Sequence, residues 1–216
     1  MIAITWLVAI LLLLDGGRAA QVAAWIFFGG KGVMLVVSAT ALCRRKHIAW
    51  GLFKARYRFD IQRPVHGLLQ AVTRFTWELP QLFLGYIVSQ YRTITQRIDR
   101  IDTLGGITYA SCCHRRQHVY MGMSLGCFVN MWMPCDIPVE FPKYVRKYRD
   151  GSIFQHEFGH TIDSQIFGPM YLIIIGLPSL LSMTAEERHL FRHRHEDLFA
   201  ERRANSNADR YFRHQG

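Results

Sequence analysis

The sequence has no Cys-x-x-Cys pair, no internal repeat, no low-complexity tract and no nucleic-acid-binding motif. Each absence removes a class of reading. The five cysteines, Cys43, Cys112, Cys113, Cys127 and Cys135, form an odd set without paired spacing. That excludes a zinc ribbon or a disulfide framework and leaves reduced, buried thiols as the ordinary reading. Cys112 and Cys113 beside His114 lack the matching pair that a second metal site would need. Positive charge is also missing ahead of the apolar run from Ile2 to Leu14, and no polar mature start follows it. A retained anchor is therefore expected in preference to a cleaved signal peptide.

What is present is length for one well-buried domain, 216 residues, and a strongly uneven distribution of apolar residues. The run Ile2 to Leu14 is short of the roughly 20 residues a bilayer crossing needs. A second run, Ala19 to Leu42, is weakened by Gln21, Lys31 and three glycines and ends at Arg44, Arg45 and Lys46. Together they predict a hydrophobic hairpin or anchor over residues 1–47 with the lipid bilayer as partner. The remaining domain, residues 48–216, is then expected on the cytoplasmic side by the positive-inside tendency. A buried helix pair in a soluble fold is the alternative. The net charge of +10 suits an anionic membrane surface, and no nucleic acid is expected.

Downstream, Ile48 to Arg63 mixes aromatics with arginines as an interfacial helix does, and Pro64 closes it. Val65 to Ile101 has helical spacing divided at Pro80, with Leu68, Leu69, Val72, Phe75 and Leu79 on one apolar face. Glu78 in that setting reads as a capped or paired carboxylate. Gly105 and Gly106 mark a turn, after which Ile107 to Cys113, His118 to Met123 and Leu125 to Trp132 read as strands of a small antiparallel sheet. Beyond a proline-punctuated loop, Tyr144 to Tyr148 reads as one helical turn. The expected fold is α+β and mostly helical.

The chemistry is concentrated in one phrase. Ser152 can cap a helix running to Phe167, and within it stands His156-Glu157-Phe158-Gly159-His160, an HExxH sequence. Random placement of this chain's histidines and glutamates gives roughly 0.015 such matches, so the motif carries information before its context is weighed. Four-residue spacing puts both imidazoles on one helix face, about 6 Å apart along the axis, where they can converge on one zinc ion. Glu157 can reach a water on that ion without being a ligand, and so act as base and then as acid toward a leaving amine. Asp163 shares the face but lies about 10 Å along the axis from His156, too far to share the ion. It is expected either to orient His160 or to be a plain solvated carboxylate.

A third ligand is required. Glu201-Arg202-Arg203-Ala204-Asn205 lies in a helix expected to begin at Thr184 through a capping box with Glu187. HExxH followed by a helical ExxAN resembles the gluzincin branch of zinc metallopeptidases, which is zincin-like in fold. The resemblance implies that Glu201 completes the metal site with His156 and His160. It also implies that Ala204 lets the two helices approach, and that Asn205 partners a ligand histidine. The separation of His160 from Glu201 and the apolar run Tyr171 to Leu181 depart from the compact members of that branch. HEFGHTIDSQIFGP, with WELPQ and the glycine pair, is also similar to uncharacterised bacterial membrane-associated proteins. His189, His193, His195 and Glu196 are rival ligands, although the arginines among them give the run the look of a solvated basic face.

The functional expectation is zinc-dependent hydrolysis of a peptide or protein substrate, aligned by strand addition to Leu125–Trp132. A non-catalytic membrane-associated metal-binding or scaffold protein is the alternative. An intramembrane protease fits less well, because Leu14-Asp15-Gly16 precedes the HExxH helix instead of following it.

Overall fold

A computed structural model describes Leu14 and residues 17–113, 121–133, 141, 145, 152–187 and 195–213. The chain is mostly helical with one small mixed sheet. Helix α1 spans Arg18–Ala55 and is long and apolar enough to cross a membrane. Its first half exposes large apolar side chains, among them Trp25 at 70%, Ile26 and Leu35. Near the basic cluster the helix kinks at Arg45 (φ −143°, ψ 74°), whose guanidinium donates to the Ile98 carbonyl at 2.6 Å. Its last turns enter the protein core through Leu52 and Ala55. The expected boundary at residue 47 thus falls inside one helix, and the second arm of a hairpin, residues 2–13, lies outside the described residues.

Helix α2, Pro64–Phe75, begins on the proline, and α3, Leu79–Ile94, carries Pro80 in its first turn. Both prolines sit where their missing N–H costs nothing. The apolar face of α2 is not the one it buries. Leu68, Leu69 and Val72 are exposed, Leu68 at 67%, while Gln70 and Arg74 are fully buried. The reason is backbone satisfaction: Gln70 Nε2 donates to the Gly105 carbonyl at 2.8 Å and Arg74 Nη2 to that of Gly106 at 2.8 Å. Those two glycines, with φ of +55° and +77°, make the turn between the first two strands.

The strands are β1 Arg100–Leu104, β2 Ile107–Cys113, β3 Met121–Leu125 and β4 Phe128–Met133, in the order β1-β2-β4-β3. The hairpins β1–β2 and β3–β4 are antiparallel, but β2 and β4 pair in parallel, so the sheet is mixed instead of antiparallel. β1 replaces the last turns of an expected helix. β4 is central, which overturns the expectation that Leu125–Trp132 could receive a substrate strand. Among the described residues β3, the strand beside the motif helix, stands at the edge of the sheet.

Helix α4, Ser152–Phe167, lies across β3 and against α6, Phe199–Arg213. Between them come a 3₁₀ turn, Gly168–Met170, a π-helical turn, Leu172–Gly176, and helix α5, Leu177–Glu187. Thr184 is inside α5 and donates back to the Leu180 carbonyl at 2.8 Å, so it does not cap a helix leading to Glu201. A further 3₁₀ turn, His195–Asp197, precedes α6. The Ser152 side chain, Tyr144 to Tyr148 apart from Val145, and His114 lie outside the described residues.

Glu78 is buried at the start of α3, where its Oε1 accepts from Ser164 Oγ at 2.7 Å. Burial pushes its carboxyl up to about 7 against the pull of Ser164 and Arg74. Because the folded value exceeds the unfolded one, the associated stability is complete below about pH 4.5 and is lost as pH rises through about 7. The loss amounts to about 3 kcal/mol for a shift of this size. Glu78→Gln is expected to remove that slope. Melting temperatures in detergent micelles from pH 5 to 8 should fall for the wild type and stay nearly level for the variant. Parallel declines would exclude Glu78 as the titrating group.

Candidate metal centre

Helices α4 and α6 cross at backbone contact, because a Cβ on Gly159 would overlap the carbonyl of Ala204. Only glycine opposite alanine permits that approach. It brings His156 Nε2 to 3.0 Å and His160 Nε2 to 3.4 Å from Glu201 Oε2. One ligand atom from each of the three lies within 4.8 Å of the other two. Donors about 2.0–2.1 Å from a tetrahedral ion stand roughly 3.3 Å apart, so both distances are what a single small cation requires. Two imidazoles and one carboxylate also form a donor set suited to zinc. The residues present fit such an ion.

Surrounding groups orient the ligands. Asn205, one turn beyond Glu201 on α6, places Oδ1 2.8 Å from His156 Nδ1. When that nitrogen donates its proton, Nε2 is the one turned toward Glu201. Burial alone would lower His156, but the Glu201 and Glu157 carboxylates and Asn205 outweigh it and hold the imidazole up at about 9. Burial would likewise raise Glu201. His156, His160 and the Ser179 hydroxyl on α5 outweigh it and keep the carboxyl well below the usual range. His156 and Glu201 thus pair directly, 3.0 Å apart, across the position a cation would take.

Glu157 projects from the same helix toward β3. The Ser124 hydroxyl lies 2.5 Å from its Oε2 and 2.9 Å from its backbone carbonyl, two acceptors for one proton. A Cβ on Gly122 would overlap the Glu157 carboxylate. Neither Ser124 nor Gly122 was picked out by motif reading. The available signal was a glycine within a strand, which marks a close approach without saying of what.

Asp163 is fully buried and joins α4 to α6, accepting at Oδ1 from Arg203 Nε at 2.6 Å and Asn207 Nδ2 at 2.8 Å. This corrects the expectation of a solvated carboxylate. It is not solvated, and among the described residues its hydrogen bonds run to α6 and not to His160, whose Nδ1 is buried without a partner. His195 also departs from the solvated reading. Its backbone N–H donates to Glu186 at 2.7 Å and its Nε2 stands 3.6 Å from Glu201 Oε2. It borders the three-residue cluster without belonging to it. His189 and His193 lie outside the described residues.

Tyr171 closes the far end of the site. Its hydroxyl donates to the Ser124 carbonyl at 3.1 Å, on the side of β3 away from β4. Backbone groups two residues apart on a strand point the same way, so the Gly122 N–H and carbonyl also face outward, next to Glu157. In comparisons with known proteins, no family, no curated protein and no solved structure matches this chain.

Proposed function

We propose that the chain is a membrane-anchored zinc metallopeptidase of the gluzincin type, zincin-like in its catalytic part. The observation that carries this reading is the convergence of His156, His160 and Glu201 from two helices, with a separately held carboxylate, Glu157, beside them. A purely structural site has no need of that carboxylate. Zinc bound there would supply Lewis-acid polarisation of a carbonyl and acidification of a water.

The chain's own groups provide the rest. Glu157 is placed to take a proton from water and return it to the leaving amine, and the Ser124 hydroxyl fixes the oxygen that does so. The outward backbone of Gly122 offers one N–H and one carbonyl to an extended substrate, which would lie along β3 with a peptide bond near Glu157. Arg44, Arg45 and Lys46 at the end of the apolar half of α1 support a cytoplasmic catalytic domain.

The test is bound zinc and peptide hydrolysis measured in parallel on protein purified in mild detergent. Glu157→Gln is expected to keep near-stoichiometric zinc and lose at least a hundredfold in hydrolysis. His156→Ala and Glu201→Ala are expected to lose the metal itself. Zinc without turnover in the wild type would favour the scaffold reading, and a folded protein that binds no zinc would overturn the proposal.

A further inference from the structure

The apolar surface outside the core is not scattered. Helix α4 and the stretch after it fold back on each other, the axes of Ile153–Met170 and Leu172–Glu186 differing by 118°. From Ser164 to Ala185 there is no charged residue. Ile173, Leu177, Leu180 and Leu181 recur at helical spacing and all point outward, each at least half exposed. A water-soluble surface would place polar groups there.

Helix packing fixes where this surface lies relative to α1. Helices α1 and α3 run side by side in the same direction. Gly30 lies against the Phe83 ring, Ser38 Oγ is 2.6 Å from the Tyr86 hydroxyl, and Gln90 Nε2 donates to the Ala49 carbonyl. Going back along α3 therefore means going toward the apolar half of α1. Trp77, just before α3, lies on from Phe83, the neighbour of Gly30, in that direction. Against Trp77 packs the start of the bent segment: a Cβ on Gly168 would overlap the indole, whose Nε1 donates to the Ile166 carbonyl at 3.3 Å. Helix α2, which turns Leu68, Leu69 and Val72 outward, ends at the same tryptophan. The outward apolar faces of α2 and of the bent segment thus adjoin one another at Trp77, on the side of α3 that leads toward the apolar half of α1.

We infer that residues 168–187 dock into the same phospholipid bilayer that α1 enters, with α2 beside them and Trp77 at their junction. Continuity with the membrane-crossing half of α1 identifies lipid as the occupant of this surface. The segment that docks also reaches the metal centre, since Tyr171 bonds the Ser124 carbonyl of β3 and Ile175 packs with Ala200, the neighbour of Glu201. The centre is consequently held at the lipid boundary. On the metallopeptidase reading, on which this last step rests, the substrate class is polypeptide segments lying at the bilayer surface.

The test uses the full chain in phosphatidylcholine–phosphatidylglycerol vesicles, with a genetically encoded environment-sensitive fluorophore placed singly at Ile173, Leu177, Leu180, Val36 and Asp209. Lipids brominated on their acyl chains are expected to quench the first three at least twofold, as they quench Val36, and to leave Asp209 unchanged. Quenching at Val36 alone would overturn the docking of the bent segment, as would equal quenching at Asp209. Quenching nowhere would overturn bilayer contact altogether. With zinc present, a lipid-tethered peptide is expected to be cleaved at least tenfold faster than the same peptide free. Equal rates alongside quenching would overturn the substrate class. Cleavage of neither alongside quenching would leave docking standing and overturn the peptidase reading.

Discussion

On the proposed function, Gly122→Ala is expected to lower peptide hydrolysis by about a thousandfold while leaving bound zinc unchanged, because it moves the Glu157 carboxylate and touches none of the three proposed ligands. The added methyl would occupy the volume of Glu157 Oε1, Cδ and Cγ, the far end of a flexible side chain. The side chain gives way and the strand does not, so the fold should survive. Once displaced, Glu157 loses the Ser124 hydroxyl that fixes its Oε2 at 2.5 Å. Ser124→Ala removes the same hydrogen bond without filling the space and should therefore cost less, about tenfold to a hundredfold. The comparison checks the geometry: zinc content, melting temperature and hydrolysis rate are measured for both variants. Full activity in Gly122→Ala would mean that the carboxylate is not needed where it stands.

Zinc affinity is expected to rise steeply with pH across a range where an ordinary histidine would hardly respond. His156 is held up at about 9 in the metal-free protein, so a cation must displace one proton to bind it. With the folded value at about 9, protonation competes at every pH below that, and the apparent affinity falls about tenfold per pH unit. Between pH 8.5 and 6.5 that is about a hundredfold. The same pair stabilises the metal-free fold in the opposite sense: its contribution is present below about 6.5 and is lost as pH rises through about 9. Competition with a chromophoric chelator at fixed ionic strength measures the slope. An affinity level above pH 7 would show that Glu201 does not hold His156 charged.

The parts of the centre legible in the sequence are those that depend on one helix at a time. Four-residue spacing places His156 and His160 on a common face whatever the rest of the chain does. Glu201 needed the resemblance of ExxAN, since nothing local distinguishes it from Glu196. Gly122 and Ser124 act only across a tertiary contact, and their neighbours Met121, Met123 and Leu125 look like any short strand. In helix α2 the limit is a different one. Periodicity finds an apolar face but does not say whether protein or another apolar medium covers it, and here Arg74 and Gln70 face inward to satisfy a turn.

β1 was hidden because Arg100 and Asp102 pair with each other at 2.7 Å on a strand at the edge of the sheet, which lets charged residues occupy it. The two hairpins also share a pattern too brief to register as a repeat. Leu104-Gly105-Gly106-Ile107 returns as Leu125-Gly126-Cys127-Phe128, each closing a two-residue turn, and the two units join through their inner strands, β2 and β4.

Helix α1 carries its apolar half and two fully buried core residues, Leu52 and Ala55, in one element that bends at Arg45. The bend is itself fastened, since the Arg45 guanidinium donates to the Ile98 carbonyl at 2.6 Å. A domain on a flexible stalk sweeps a hemisphere above its attachment point. A domain joined by helix through a fastened bend keeps one orientation toward whatever the apolar half enters. On the proposed membrane-anchored reading, reach is thereby traded for aim, and targets are met by lateral diffusion in two dimensions instead of by a search of the volume above.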